Sequence, residues 1–282
     1  MGENRPDERD RREYWTQSME QAYAFVQRQF AHPVAECGQG MAPLPAAAED
    51  AGVEVTFSDR PHADGLPRCF FLREGLIGSF VDLAREMNEN GWVLHVEDAF
   101  RSRGMQRALG RQENTFGAVL RRVRWELVGR TPDPEFLYRR LSVLIAQTAK
   151  VGTHMSGSAI DISVYGRGNG GEVDRGGPYL EMSERTPMAS PFVARDSAQN
   201  RRRITDVFER HGFAAYPYEF WHYSQGDVIG LLLAGSDAPA MYGPIDFDPQ
   251  TGQVRAIETA AERLASAEEI RLRIAAALDG AS

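Results

Sequence analysis

Cysteine is almost missing from this chain of 282 residues: only Cys37 and Cys69 occur, and their spacing fits neither a zinc knuckle nor a redox pair. That leaves room for one disulfide at most and suits a reducing compartment. No run of 18 apolar residues is present, so no membrane span is expected. The stretch from Met1 to Asp10 is charged and lacks the apolar centre of a secretory signal, which makes the cytoplasm the expected location. Positive charge is also in deficit. A net charge of -8 and a pI near 5.4 argue against a general nucleic-acid binder, because phosphate binding depends on a basic surface. The two arginine clusters, Arg121-Arg122-Val123-Arg124 and Arg201-Arg202-Arg203, fall in predicted helices and read as solvated or ion-paired faces. There is no internal repeat, and the length permits one large or two small domains.

What is present is a series of periodic segments. Residues 1 to 12 read as a charged, frayed end. Tyr14, Met19, Tyr23, Phe25, Val26 and Phe30 predict a helix over 13–30 with an aromatic face that needs cover, followed by a Pro-, Gly- and Ala-rich loop to Ala48. Val53 to Phe57 alternates as a strand does, and Cys69 to Leu72 is a second short strand candidate. A helix over 79–90 precedes a strand over 92–96, which delivers Glu97, Asp98, Ala99, Phe100 and Arg101 where strand meets loop. Helices are expected over 104–128, 134–150 and 197–211. Gly166 to Gly171 lacks the Lys-Ser/Thr of a phosphate loop and reads as a hairpin or lid. Ser266 and Glu269 have capping-box spacing, and Ile270, Ile274 and Leu278 form the apolar stripe of a C-terminal helix, either docked or at a dimer contact. His95 and His211 read as structural histidines.

The chemistry concentrates in two segments. In Thr153-His154-Met155-Ser156-Gly157-Ser158-Ala159-Ile160-Asp161, a histidine and an aspartate lie on either side of a tight turn. The following alternation sends Ile160, Ile162 and Val164 to the core and Asp161 to the other face with its small neighbours. In Tyr216-Pro217-Tyr218-Glu219-Phe220-Trp221-His222-Tyr223, an acid and a histidine sit among aromatics able to dry and stiffen a site. His154, Asp161 and His222 give zinc three ligands and leave one position for water, the arrangement of a catalytic rather than a structural ion. Glu219 is then available as a base. In an unbroken strand Glu219 and His222 would face opposite ways, so a bend near Phe220 is required.

These residues resemble the signatures of the D-Ala-D-Ala dipeptidases, zinc metallopeptidases known from vancomycin resistance, and of their D,D-carboxypeptidase relatives. His154, Gly157 and Asp161 match the family's first motif, Glu219, Trp221 and His222 its Glu-x-Trp-His, and Asp98-Ala99-Phe100-Arg101 its arginine context. The similarity spans roughly residues 53 to 228. It implies an α+β fold of the Hedgehog/DD-peptidase kind, with an antiparallel sheet flanked by helices and with N- and C-terminal helical extensions. The implied division is an arm and loop over 1–48, a peptidase domain over 49–245 and a tail over 246–282. It further implies one Zn²⁺ per chain, Glu219 as general base, Arg101 as oxyanion donor, and hydrolysis of D-Ala-D-Ala or a similar dipeptide derived from cell-wall peptidoglycan. The expected partner is a small peptide substrate, with no nucleic acid and no membrane; oligomeric state stays open. Two departures bear on substrate choice. Gly152 stands where the family commonly has a serine, and Leu180, with Glu181 next to it, stands where the dipeptidases have an aspartate for the substrate's amino group. A D,D- or L,D-carboxypeptidase on longer peptides is therefore the alternative, and a noncatalytic zinc-bearing binding protein the third reading.

Overall fold

The computed structural model describes residues 7–279. The chain opens with α1 (Glu8–Ala31), capped by the Asp7 carboxylate on the Asp10 amide, so the helix starts earlier than expected and takes in part of the stretch read as frayed. Residues 1–6 of that stretch lie outside the described residues. The loop expected up to Ala48 instead holds β1 (Met41–Pro43) and α2 (Leu44–Ala51). Pro45, in the first turn of α2, has a ring that presets helical φ where an amide would be unpaired anyway. Then follow β2 (Val55–Phe57), β3 (Phe71–Arg73), α3 (Ile77–Glu89) and β4 (Trp92–Asp98).

The single helix expected over 104–128 is two, α4 (Arg103–Arg111) and α5 (Glu113–Glu126), separated at Gln112, whose ψ of 129° is extended. Of α4 only Met105 and Gln106 are buried, whereas α5 carries the apolar stripe Phe116, Val119, Leu120 and Val123. The break lets each segment turn its own face inward. Next come α6 (Pro134–Leu144), β5 (Ala159–Gly166), α7 (Arg195–Arg210), β6 (Ala214–Ala215), β7 (His222–Ser224) and α8 (Val228–Leu233). The chain closes with β8 (Ile245–Asp248), β9 (Gln253–Ala256) and α9 (Ala267–Asp279). The Ser266 hydroxyl accepts from the Glu269 amide at 3.1 Å, as the capping-box spacing requires.

The central sheet has the order β2-β4-β5-β7-β6, antiparallel throughout except at its β2–β4 edge, which is parallel. Ile160, Ile162 and Val164 of β5 enter the core with Leu94 and Val96 of β4 and with side chains of α3 and α7. Helices thus flank the sheet, and the architecture is α+β. Gly166 to Gly171 forms a hairpin turn, the Gly166 amide donating to the Gly171 carbonyl at 2.8 Å. The structural histidines are bonded: His95 Nδ1 to Thr56 Oγ1 at 2.8 Å, and His211 Nε2 to Glu86 Oε2 at 2.7 Å.

The terminal helices are packed against the rest. The aromatic face of α1 is covered: Trp15, Met19 and Val26 meet Val143 and Val151. Ile270 and Ile274 of α9 enter the cluster of α5 and α6. Glu126 fixes the junction, accepting from the buried Arg140 (Nε to Oε2, 3.0 Å) and from Trp15 Nε1 at 3.2 Å. Glu126→Ala leaves the Arg140 charge short of a buried partner and is expected to cost about 3–5 kcal/mol, read as a shift in the urea midpoint.

One arginine cluster differs from expectation. Arg122 is paired with Glu184 at 2.7 Å, as anticipated, but Arg201 is 1 % exposed and has no carboxylate partner among the described residues. It donates to the main-chain carbonyls of Arg175 (2.6 Å), Pro187 (2.8 Å) and Arg185 (2.9 Å). A planar fork of five donors suits that task. It ties down the 175–188 segment, which forms one wall of the cleft described next.

Candidate active site

His154 lies in a 3₁₀ turn, Thr153–Ser156, closed by Gly157 at φ 67°. A Cβ at Gly157 would meet only the movable end of Met41, so it is the left-handed backbone that calls for glycine. The turn sets β5 in motion. Asp161 then pairs in register with His222 of β7 on one side and with Asp98 on the other, where a bulge separates Val96 from Asp98. The bend required near Phe220 is present as two successive turns, with the Glu219 amide donating to Tyr216 O and the His222 amide donating to Glu219 O. That brings Glu219 and His222, three apart, onto one cleft.

The structure brings His154, Asp161 and His222 together: all three are buried, and one ligand atom from each lies within 4.8 Å of the others. Asp161 divides its oxygens. Oδ1 meets His154 Nε2 at 3.1 Å and His222 Nδ1 at 2.9 Å, while Oδ2 accepts from Arg101 Nη2 at 2.8 Å and from the Tyr179 hydroxyl at 2.9 Å. The outer nitrogens are also served. His154 Nδ1 donates to the Ala99 carbonyl at 2.6 Å, and His222 Nε2 lies 2.9 Å from Thr153 Oγ1. A carbonyl can only accept, so His154 carries its proton on Nδ1 and turns the Nε2 lone pair inward; Thr153 allows the same of His222 Nδ1. Two imidazole lone pairs and a carboxylate oxygen facing one point are a donor set that could hold a divalent cation, and N/O donors of this kind would suit zinc.

Electrostatics around this point are uneven. The imidazoles and Arg101 hold the Asp161 carboxyl well below its ordinary range despite burial. His154 is pushed down by burial and by Arg101, whereas for His222 burial is outweighed by the Asp161 hydrogen bond and the charges of Asp161, Glu219 and Asp227 together, which raise it. The Glu219 carboxylate makes no hydrogen bond among the described residues; enclosure by protein pushes it up to about 8. Arg101 is fully engaged on one side, Nε to Asp98 Oδ2 at 2.7 Å and Nη2 to Asp161, which leaves Nη1 with only a long 3.4 Å contact to Gln106. Arg103 points elsewhere, to Thr259 Oγ1 at 2.9 Å. Trp221 is buried and stacks edge-on with Tyr179 and Phe220.

Sequence reasoning missed Tyr179 and Thr153. Tyr179 follows Gly176-Gly177-Pro178, where no periodicity assigns a side chain to any face. Thr153 adjoins the candidate ligand His154, and that adjacency was the available signal. Leu180 lines the cleft, 44 % exposed and at φ 64°, while Glu181 is occupied by Ser183 and Arg185. The cleft therefore offers no acid at the position of the missing aspartate.

This α+β domain holds a buried His-Asp-His set that could bind a metal ion, with an unbonded acid beside it. Residues 123–234 match the family profile described as D-ala-D-ala dipeptidase. A D-alanyl-D-alanine dipeptidase of Enterococcus faecium is 40% identical over 75 residues, 27% of this chain and 37% of that protein. One from Synechocystis is 28% identical over 223 residues, 70% of this chain and 86% of that protein. The match thus spans little more than a third of the Enterococcus relative. A solved LdcB LD-carboxypeptidase aligns over 73% of this chain and 77% of its own at TM-score 0.36 and 16% identity, too loosely to carry function. Over these spans the chain is similar to D-alanyl-D-alanine dipeptidases. No described helix is long and apolar enough to cross a membrane.

Proposed function

We propose that the protein is a zinc peptidase that hydrolyses D-Ala-D-Ala or a similar dipeptide derived from cell-wall peptidoglycan. The observation that carries this reading is the inward-facing His154, Asp161 and His222 set beside an unbonded Glu219. Those three residues would hold one zinc ion, which lowers the pKa of water and polarises a carbonyl when bound. Glu219 accepts the proton of the attacking water and delivers it to the departing amine; a carboxyl that burial has already lifted toward neutrality is matched to both tasks. Arg101, held on two sides by Asp98 and Asp161, presents Nη1 to the developing oxyanion. Thr153, Tyr179 and the Ala99 carbonyl keep the ligands in their orientation.

We assign this chemistry to residues 49–245, with 1–48 and 246–282 as flanks that buttress it through α1 and α9. Both cysteines are free, which agrees with a reducing, cytoplasmic setting. Exposed Leu180, in place of an acid, favours as second reading a D,D- or L,D-carboxypeptidase that takes longer peptides.

Incubating the zinc-loaded protein with D-Ala-D-Ala, L-Ala-L-Ala and a muropeptide ending in D-Ala-D-Ala separates the readings. Release of D-alanine from the free dipeptide supports the first. Cleavage of the muropeptide alone supports the second, and no turnover at all ends both. Arg101→Ala is expected to lower turnover by roughly 10²–10³, the usual cost of one preorganised oxyanion donor. A variant with wild-type turnover removes Arg101 from the mechanism.

A further inference from the structure

Two buried polar side chains on the wall of the cleft have no hydrogen-bond partner among the described residues. Gln29, on the buried face of α1, is 2 % exposed, and Tyr216 is 6 % exposed. Both line the cleft that holds Glu219 and His222, yet neither the Gln29 amide nor the Tyr216 hydroxyl is bonded. They belong to one region: the Tyr216 ring packs on Phe25 with centroids 6.0 Å apart, and Phe25 precedes Gln29 by four residues, on the same face of the helix.

The other neutral polar groups of the wall are taken. Gln106 Nε2 donates to Ala146 O, the Ser142 hydroxyl to Tyr138 O and the Thr115 hydroxyl to Gln112 Oε1, while Thr153 serves His222. The cation of the wall, Arg101, is clamped between two carboxylates. Neither polar end is sealed off, so both stay open to the cleft, where a ligand can bond to them.

We propose that the Gln29 amide N–H and the Tyr216 hydroxyl receive the C-terminal carboxylate of the peptide. This rests on the peptidase reading and adds the groups that set the peptide's register. A carboxylate accepts at both oxygens, so one group can bond to each, and bonds to an ionised acceptor are about twice as strong as neutral ones. The assignment places a binding residue on α1, outside residues 123–234 that match the family profile.

The test uses the zinc-loaded protein and its Gln29→Leu and Tyr216→Phe variants, with D-Ala-D-Ala and its C-terminal amide. Binding is also read by calorimetry in a Glu219→Gln background, and zinc content reports that the site is intact. Each variant is expected to weaken binding of the free acid by roughly tenfold or more, the worth of a hydrogen bond to a charged group. The loss falls on KM and Kd more than on kcat, and the preference for acid over amide collapses. Equal losses on acid and amide, or none on either, overturn the assignment while leaving the peptidase intact. Wild-type protein that holds zinc but neither binds nor cleaves either peptide removes the peptidase reading and this assignment with it.

Discussion

Glu219→Gln is expected to retain one zinc per chain and to lose roughly 10²–10⁴ in turnover, the usual worth of a positioned general acid–base. The amide keeps the shape of the acid but can neither take a proton from water nor return one to the amine. Its ordinary hydrogen-bonding role is nil, since the Glu219 carboxylate bonds to nothing among the described residues, so no structural contact is lost with it. Chelated protein gives a second readout. With no cation bound, burial raises Glu219 from 4.5 to about 8, so the folded state binds this proton more tightly than the unfolded chain does. Its contribution to stability is full below the unfolded value and falls as pH rises through that window. Chelated Glu219→Gln should lack this decline and melt higher than chelated wild type at pH 8. Wild-type turnover in the variant removes Glu219 as the base.

The convergence of His154, Asp161 and His222 was legible because each half of it obeys a local rule. Alternation in β5 puts Ile160, Ile162 and Val164 on one face, so Asp161 had to take the other. The bend at Phe220 could be required from sequence, since a strand cannot aim residues three apart at one point. Contacts between distant segments were not legible. That Asp161 Oδ2 is shared by Arg101 and Tyr179 depends on how the 175–188 segment folds back, and that depends on Arg201 binding three of its carbonyls. An arginine among arginines on a polar helix signals a solvated face, and pattern alone cannot separate it from a buried clamp. Likewise α2 hid in a run of Pro and Ala, where the apolar signal of Leu44 and Ala48 is too short to show a period.

Asp161→Ala is expected to abolish both zinc binding and turnover, and to destabilise the fold. Tyr179→Phe, by contrast, removes one supporting bond and should weaken metal affinity by only about 10–100-fold, as changes behind the ligands do. The difference follows from what converges on Asp161. It is the anion against which two imidazoles and one arm of Arg101 are set, at 2 % exposure. Removing one partner of a buried ionic cluster costs about 3–5 kcal/mol. Here the lower end is expected, because Arg101 keeps Asp98 at 2.7 Å. The pH dependence carries the same signature. The Asp161 pKa is depressed in the folded state, so its contribution is present above the unfolded value near 3.8 and disappears as pH falls through the acid range. Wild type should therefore lose its advantage over Asp161→Ala on acidification in urea melts. Asp161→Asn sharpens the argument, since it preserves volume but not charge. If the asparagine variant bound zinc as tightly as wild type, the cation would not be held by this carboxylate, and the two imidazoles would need another reason to face each other.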